Sequence, residues 1–177
     1  MKKHSQVFSS LGMAMVLCMT VSLALATEQS PAASSSEQES TGLPDAYATF
    51  AGSRSNAQAL IEGLLNGTRI TLVTPASSTT RSTQNTFVPR TGKLGYDNVR
   101  IALALAQAAL VKAGITQPTA GQIEAVLNGG AIMAPYGPAQ MPGVLALRSQ
   151  GQVWGNISRA LGVKLAADGS VAAAANP

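Results

Sequence analysis

The sequence predicts a mainly α protein: one small helical domain of about five helices around a buried central helix, with a small β-hairpin beside it. Three observations lead to this prediction. The segment Val99–Ala113 has only three polar residues, Arg100, Gln107 and Lys112, so a helix there must be surrounded by other elements. Further segments show the apolar period of surface helices. One segment is β-branched and alternating, which is typical of a strand.

The first 26 residues predict an export signal. A basic start, Met1–His4, is followed by an apolar run, Leu11–Ala26, that ends in the Ala-Leu-Ala pattern accepted by signal peptidase. Cys18 follows the bulky Leu17, which does not fit a lipid-attachment site. We therefore expect cleavage after Ala26 and a periplasmic or extracellular protein. A retained membrane anchor is the weaker alternative, because the apolar core is short.

Cleavage would remove His4 and Cys18, the only histidine and cysteine of the chain. Without them, the mature chain cannot form a disulfide, a Cys/His zinc site, a thiol redox centre or a Ser-His-Asp triad. We therefore expect a protein that is not an enzyme and has no cofactor or metal site.

Charge and composition divide the remaining chain into three parts. Residues 27–45 are rich in Ser, Glu, Ala and Pro and predict a disordered acidic leader. Residues 46–165 form the predicted helical domain, which holds all ten Lys and Arg residues of the mature chain. Residues 166–177 predict a disordered Ala-rich tail. The folded part is therefore basic, and we expect most of its cations to be ordinary solvated positions.

The first half of the domain predicts a helix and a hairpin. Ser55–Gln58 fits a capping box, and an apolar stripe then runs to Leu65 before the helix ends at Asn66-Gly67. Thr68–Thr74 is β-branched and closed by Pro75, as a strand would be. The segment Thr86–Arg90 is the predicted partner strand, after a flexible loop, and Pro89 restricts it to an edge.

The central helix and a shorter helix follow. For the central helix, Asp97 or Asn98 is the expected N-cap and Gly114 the expected C-cap. Thr119 and Gln122 have the spacing of a capping box, which predicts a short helix that stops at Gly129.

The segment Ala131–Pro142 contains three prolines and predicts an irregular loop. Met133, Tyr136 and Met141 lie on it, and we consider them candidate partner-binding residues, because methionines and a tyrosine on such a loop suit a protein contact. The alternative is a loop that simply packs over the helices.

The C-terminal segments Val144–Gln150 and Val153–Leu161 predict two helices separated by a glycine turn, with Trp154, Ile157 and Leu161 on one face toward the core. They resemble the opening half of a helix-turn-helix. After Leu165, however, no basic or amide side chain precedes Asn176, so a base-reading helix is missing and nucleic acid is not the expected partner. The cationic side chains of this part are the candidate polyanion-binding residues: Arg148, Arg159 and Lys164.

Four short motifs resemble a group of small exported proteobacterial proteins with no assigned activity. They are Phe50–Ser53, Thr91–Val99, Ile115–Thr119 and Gly151–Ile157. The resemblance covers residues 50–165 and implies a bacterial, exported setting without implying an activity.

These observations lead to one functional prediction and two alternatives. We expect an exported, non-catalytic interaction or structural protein that binds a protein or an envelope component and has no membrane span after cleavage. The first alternative is nucleic-acid or polyanion binding through the basic C-terminal helix pair. The second is a hydrolase that uses carboxylates alone, which for a glycosidase would need a pair about 5 to 10 Å apart. Its candidates are Glu62, Asp97, Glu124 and Asp168.

Overall fold

The computed structural model describes residues 42–76, 81–166 and 171–172 of the 177-residue chain. The predicted signal peptide and most of the predicted leader and tail lie outside these residues. Within residues 42–76, 81–166 and 171–172, no helix combines the length and the apolar character needed to cross a membrane.

The prediction of a mainly α fold is wrong. The described region is 51% helix and 19% strand, so the fold is mixed α and β. Strands β1 and β2 form one antiparallel two-stranded sheet, β3 and β4 form another, and β5 and β6 add a ladder of two residues per strand. The elements run in this order: α1 (Ala48–Ala51), α2 (Arg54–Asn66), β1 (Ile70–Thr74), β2 (Thr83–Phe87), α3 (Tyr96–Lys112), α4 (Ala120–Asn128), β3 (Gly130–Ala134), β4 (Gly137–Met141), α5 (Val144–Ser149), α6 (Trp154–Leu161), β5 (Lys164–Leu165) and β6 (Val171–Ala172).

The error arises at Ala131–Pro142, which is a β-hairpin and not an irregular loop. Three prolines made a strand improbable there, since proline cannot donate to a strand ladder. The structure places them where no donor is needed. Pro135 is in the turn, Pro142 follows the last strand residue, and Pro138 occupies a strand position whose N–H would point away from the partner strand.

Helix α3 is the predicted central helix, and its burial is confirmed. Its apolar side chains pack against the other elements on most sides, and those fully or nearly buried are Val99, Ala102, Leu103, Leu105, Ala106, Ala108, Ala109 and Leu110. Its predicted caps are wrong. The N-cap is Gly95, so Asp97 lies in the first turn, and the C-cap is Ala113 rather than Gly114.

Helix α2 confirms the predicted apolar stripe and the end at Gly67, whose left-handed backbone (φ 66°) suits glycine. The predicted start is two residues late. Ser53 is the N-cap, and its hydroxyl accepts a hydrogen bond from the Asn56 amide at 3.1 Å. Gln58, the predicted partner in a capping box, instead donates to Glu62 at 2.9 Å.

Both predicted domain boundaries need correction. Residues 42–46 are helical, and Leu43 is only 7% exposed, so the fold begins inside the predicted leader. At the other end, Val171 belongs to β6 and packs against the core, although it falls in the predicted tail. Leu43 and Val171 are thus apolar side chains that attach otherwise polar or Ala-rich stretches to the core.

Candidate functional site

The hairpin of β3 and β4 carries two of the three predicted partner-binding residues on its exposed side. Its strands are joined by the two residues Pro135 and Tyr136, and Ala134 faces Gly137 at the last ladder position. Tyr136 is 95% exposed at the tip of this turn. Met133, on the outward side of β3, is 70% exposed.

The two sides of the hairpin differ in burial as the strand period requires. Ile132 is buried, and Ala134, Ala139 and Met141 pack partly against the core. The outward set is exposed and carries no charge: Ala131, Met133, Pro138 and Gln140. The structure therefore separates the three predicted residues, because Met141 faces the core while Met133 and Tyr136 face outward.

The hairpin is fixed to the helical part of the domain at both ends. At its base, a Cβ added to Gly143 would lie 2.3 Å from the Gly129 nitrogen, so the incoming and outgoing chains touch through two glycines. Both have positive φ, 92° and 82°. Along β3, the Met133 carbonyl accepts a hydrogen bond from Gln122 at 3.0 Å. A close base and a side-chain bond to α4 hold the strands in place.

Gln122 belongs to the predicted capping box, which is confirmed. Its backbone N–H donates to the Thr119 hydroxyl at 3.4 Å, and its side-chain oxygen accepts from the Thr119 amide at 2.8 Å. The same side chain therefore caps α4 with its oxygen and holds β3 with its nitrogen. This link was not visible in the sequence.

The predicted polyanion-binding residues are placed differently from one another. Arg148 lies over the Trp154 ring, with its guanidinium carbon 5.0 Å from the ring centroid, and donates to the Gln152 carbonyl at 2.9 Å. Arg159 donates to Asn156 on its own helix. Lys164 is exposed on β5. Arg148 therefore packs the helix pair together, Arg159 is exposed but bonded within its own helix, and Lys164 is exposed.

Trp154 itself is partly buried and donates from its indole N–H to Asn98 at 2.9 Å. Ile157 and Leu161 are buried, as their helical spacing predicted. The face of α6 that was predicted to pack against the core therefore does so, and the indole of Trp154 lies at the edge of that face.

No protein-family model, curated protein or solved structure matches the chain. The resemblance to exported proteobacterial proteins therefore remains a prediction.

The candidate carboxylates of an acid hydrolase are occupied in local contacts or exposed on separate helices. Glu62 accepts from Gln58 on α2, and Glu124 on α4 accepts from Asn85 at 2.7 Å. Asp97 is exposed in the first turn of α3, and Asp168 lies outside the described residues. No group of three or more metal-ligating side chains occurs in the part of the chain that the structure describes.

A second group of cations, which local sequence patterns did not predict, lies at the end of the β1–β2 hairpin opposite its loop. Arg69, Arg90 and Lys93 are all exposed, and Val88 beside them is 52% exposed. They are separated by up to 24 positions in the chain, so only the strand register and the following turn bring them together. The pairing of Thr68–Thr74 with Thr86–Arg90 predicted from the sequence brings Arg69 and Arg90 to the same end of the hairpin, but it does not place Lys93, which follows in the turn.

A cavity of about 380 Å³ lies between α1, the end of β1 and the start of α4. It is lined by uncharged residues, among them Thr49, Thr74, Gln117 and Thr119. Thr74 and Thr119 are already used in capping α4, since the Thr74 hydroxyl accepts from the Ala120 amide at 3.0 Å. The polar groups here therefore have a structural use.

Proposed function

We propose that the protein is an exported, non-catalytic interaction protein that binds a partner protein through the outward side of the β3–β4 hairpin. The observation that carries the proposal is the exposure of Tyr136 at the end of the turn, with Met133 exposed three positions before it. Tyrosine and methionine are enriched at protein interfaces, and each gains from the removal of its apolar surface from water.

The absence of charge around these residues supports a protein partner. From Ala125 to Leu147 the chain has no Asp, Glu, Lys or Arg. Charged residues are depleted in the buried centres of protein interfaces, because their desolvation is costly. An uncharged hairpin with an exposed aromatic tip fits such a centre better than it fits an ordinary solvated turn.

The rigid mounting of the hairpin also favours binding. Gly129 and Gly143 fix its base, and Gln122 fixes β3, so little conformational entropy remains to be lost when a partner binds. Because Pro138 lacks an N–H, Met133 and Pro138 form a pair without mutual backbone hydrogen bonds. Such pairs alternate with hydrogen-bonded pairs, so the pair of Ala131 and Gln140 is of the same kind, and the N–H and C=O of Gln140 point away from β3. A partner strand can use these groups in addition to side-chain contacts.

The non-catalytic part of the proposal rests on the composition and on the local roles of the acidic groups. The chain's only histidine and cysteine lie within the predicted signal peptide, and Glu62 and Glu124 are already hydrogen bonded. Export rests on the sequence pattern of residues 1–26. Polyanion binding through the C-terminal helix pair is less well supported, because Arg148 packs on Trp154.

The test is a pull-down. The full chain is expressed in a bacterial host, and the purified protein is used to capture partners from envelope and culture-supernatant fractions. We compare the wild type, the double variant Met133→Ser/Tyr136→Ser and the control Val153→Ser. Val153 is also exposed, at 58%, but lies before α6. A partner identified by mass spectrometry is then purified and its affinity measured directly.

We expect the wild type and the control to bind equally and the double variant to bind at least about 30-fold more weakly, since interface anchors are typically worth 2 kcal/mol or more. All three proteins should melt within a few degrees of one another, because the changed side chains are exposed. Equal affinity of the double variant and the control for every captured partner would refute the hairpin as the binding site.

A further inference from the structure

The far end of the β1–β2 hairpin joins three cations to an exposed apolar side chain. Ile70 pairs with Phe87, so Arg69 and Val88 are the first positions beyond the ladder and lie side by side. Pro89 is buried, which leaves Val88 and Arg90 on the exposed side of the chain. We call the surface formed by Arg69, Val88, Arg90 and Lys93 the hairpin-end patch.

Lys93 joins this patch through a close backbone contact. A Cβ added to Gly67 would lie 2.6 Å from the Lys93 nitrogen, and the Leu94 amide donates to the Leu64 carbonyl at 3.0 Å. Gly67 precedes Arg69 by two residues. The segment with Lys93 therefore runs directly against the start of β1, and the cation comes from the same end of the sheet.

The backbone of the patch is held by a side chain from α4. Asn128 donates to the Val88 carbonyl at 2.9 Å and accepts from the Arg90 amide at 3.3 Å. The Gly92 amide closes a turn on the Pro89 carbonyl at 3.5 Å. These bonds fix the positions from which the cations extend, so the arrangement is a feature of the fold rather than of a free loop.

None of the patch cations forms an ion pair in the described part of the chain. The ion pair found there is that of Arg54 with Asp45, and it involves none of the patch cations. Glu124, the acidic residue beside β2, is hydrogen bonded to Asn85. The patch therefore combines three positive charges that form no ion pair with one apolar side chain.

We infer that the hairpin-end patch docks reversibly on an anionic phospholipid surface. Basic residues near such a surface are attracted to the lipid phosphates, and an apolar side chain among them enters the boundary between headgroups and acyl chains. A soluble acidic polymer gives no reason for the exposed Val88. Single-stranded nucleic acid is usually held by aromatic stacking, and the four patch residues include no aromatic ring. The inference is independent of the β3–β4 hairpin and goes beyond the proposed function.

The test measures co-sedimentation of the purified protein with vesicles. The protein is the one recovered after expression of the full chain, and mass spectrometry of the intact protein identifies its N-terminal residue. Vesicles of phosphatidylcholine alone are compared with vesicles that also contain phosphatidylglycerol, at low and high salt. The patch variant is Arg69→Gln/Arg90→Gln/Lys93→Gln.

The matched control carries the same change of charge at three exposed cations elsewhere, Arg81→Gln/Arg159→Gln/Lys164→Gln, and leaves Arg148 on its indole ring. A second variant, Val88→Asn, keeps the charge. Thermal unfolding of each variant shows that the fold is intact.

We expect binding to the anionic vesicles only, with weakening as salt increases. Each lost cation should weaken binding about fivefold, so the patch variant should bind about 100-fold more weakly, while the control loses less than about fivefold in total. Val88→Asn should also bind severalfold more weakly. Equal losses in the patch and control variants would refute the patch and leave only net charge. Equal binding to neutral and anionic vesicles would refute recognition of an anionic lipid surface. Absence of vesicle binding, together with binding to duplex DNA that Val88→Asn leaves unchanged, would also refute it.

Discussion

Asn56 is a buried polar side chain that ties helix α2 to strand β1, and its replacement tests how the β1–β2 hairpin is attached to the helices. It is 6% exposed. Its side-chain nitrogen donates to the Ala51 and Val73 carbonyls, both at 2.8 Å, and its oxygen accepts from the Val73 amide at 3.0 Å. One amide group therefore pairs with both backbone groups of a strand residue, as a neighbouring strand would.

The change Asn56→Ala removes all three hydrogen bonds. Each contributes about 1 kcal/mol, and a buried group left unpaired costs about 1 to 3 kcal/mol. Val73 is 42% exposed, so water can reach its backbone groups, whereas Ala51 is 3% exposed and its carbonyl stays without a partner. We therefore expect a loss of about 3 kcal/mol in the free energy of unfolding, which is a large part of a typical total of about 5 to 15 kcal/mol.

Chemical and thermal unfolding measure this loss. A change of about 3 kcal/mol lowers the melting temperature of a domain of this size by about 10 °C. The control is Gln58→Ala on the same helix, an exposed position whose side chain bonds only to Glu62 and should alter stability by less than about 0.5 kcal/mol. Equal melting temperatures for the two variants would refute the structural role of Asn56.

The variant Asn56→Asp adds a pH dependence with a defined sign. The ionised carboxylate would face the Ala51 and Val73 carbonyls without a proton to donate, so its pKa in the folded state should lie above the ordinary value of about 3.9. Relative to Asn56→Ala, this variant is then most stable below about pH 4, where the protonated group can donate to one carbonyl. Its relative stability falls as the pH rises from there through the folded-state pKa. A difference between the two variants that stays constant from pH 3 to 8 would contradict the geometry.

Two further predictions concern the core. Gly63→Ala should destabilise the fold by about 1 to 3 kcal/mol, because the new Cβ would lie 2.1 Å from the buried Ile70 side chain. Gly121→Ala is the control, since open space surrounds Gly121, and it should stabilise its helix by up to about 1 kcal/mol. The melting temperatures of the two variants test this difference. Burial raises the pKa of Tyr47, so the stability it contributes is complete below about pH 10 and is lost as the pH rises through its folded-state pKa. Tyr47→Phe should lose about 1 kcal/mol at neutral pH with its hydrogen bond to the Arg100 carbonyl, and should unfold less steeply than the wild type in alkali; parallel alkaline unfolding curves would contradict this.

Local patterns predicted the helices from α2 onward, because their burial repeats with the helical period, but missed the helical residues before Gly52. The stripe that ends at Leu65, the apolar length of α3 and the Thr119–Gln122 capping box all depend on residues a few positions apart. Strands β3 and β4 were missed for the opposite reason. Their prolines are compatible with a ladder only at particular register positions, and the register is set by Gly129 and Gly143, which meet only in the folded chain.

The candidate sites follow the same division between local and distant information. Exposure of Met133 and Tyr136 was expected from composition, but the inward direction of Met141 depends on strand alternation that the loop assignment could not supply. Arg148 was grouped with other cations because it is close to them in the chain, and its contact with Trp154 shows that chain proximity is a poor guide to a shared surface.

The two proposed surfaces share one structural device, an amide side chain of α4 that holds the backbone of a hairpin. Gln122 bonds to β3 near the start of the helix, and Asn128 bonds to the segment after β2 at its end. Because α4 lies between the hairpins, the exposed residues of both project from a common rigid support. Loosening one end of α4 should therefore disturb the surface held there, and changes to the exposed side chains should likewise affect one surface only. Thr119→Ala, which removes the α4 cap and should cost about 1 kcal/mol, is thus expected to loosen the Gln122 end and weaken partner binding, while vesicle binding, which depends on Asn128 at the other end, stays unchanged, as it should in Met133→Ser/Tyr136→Ser.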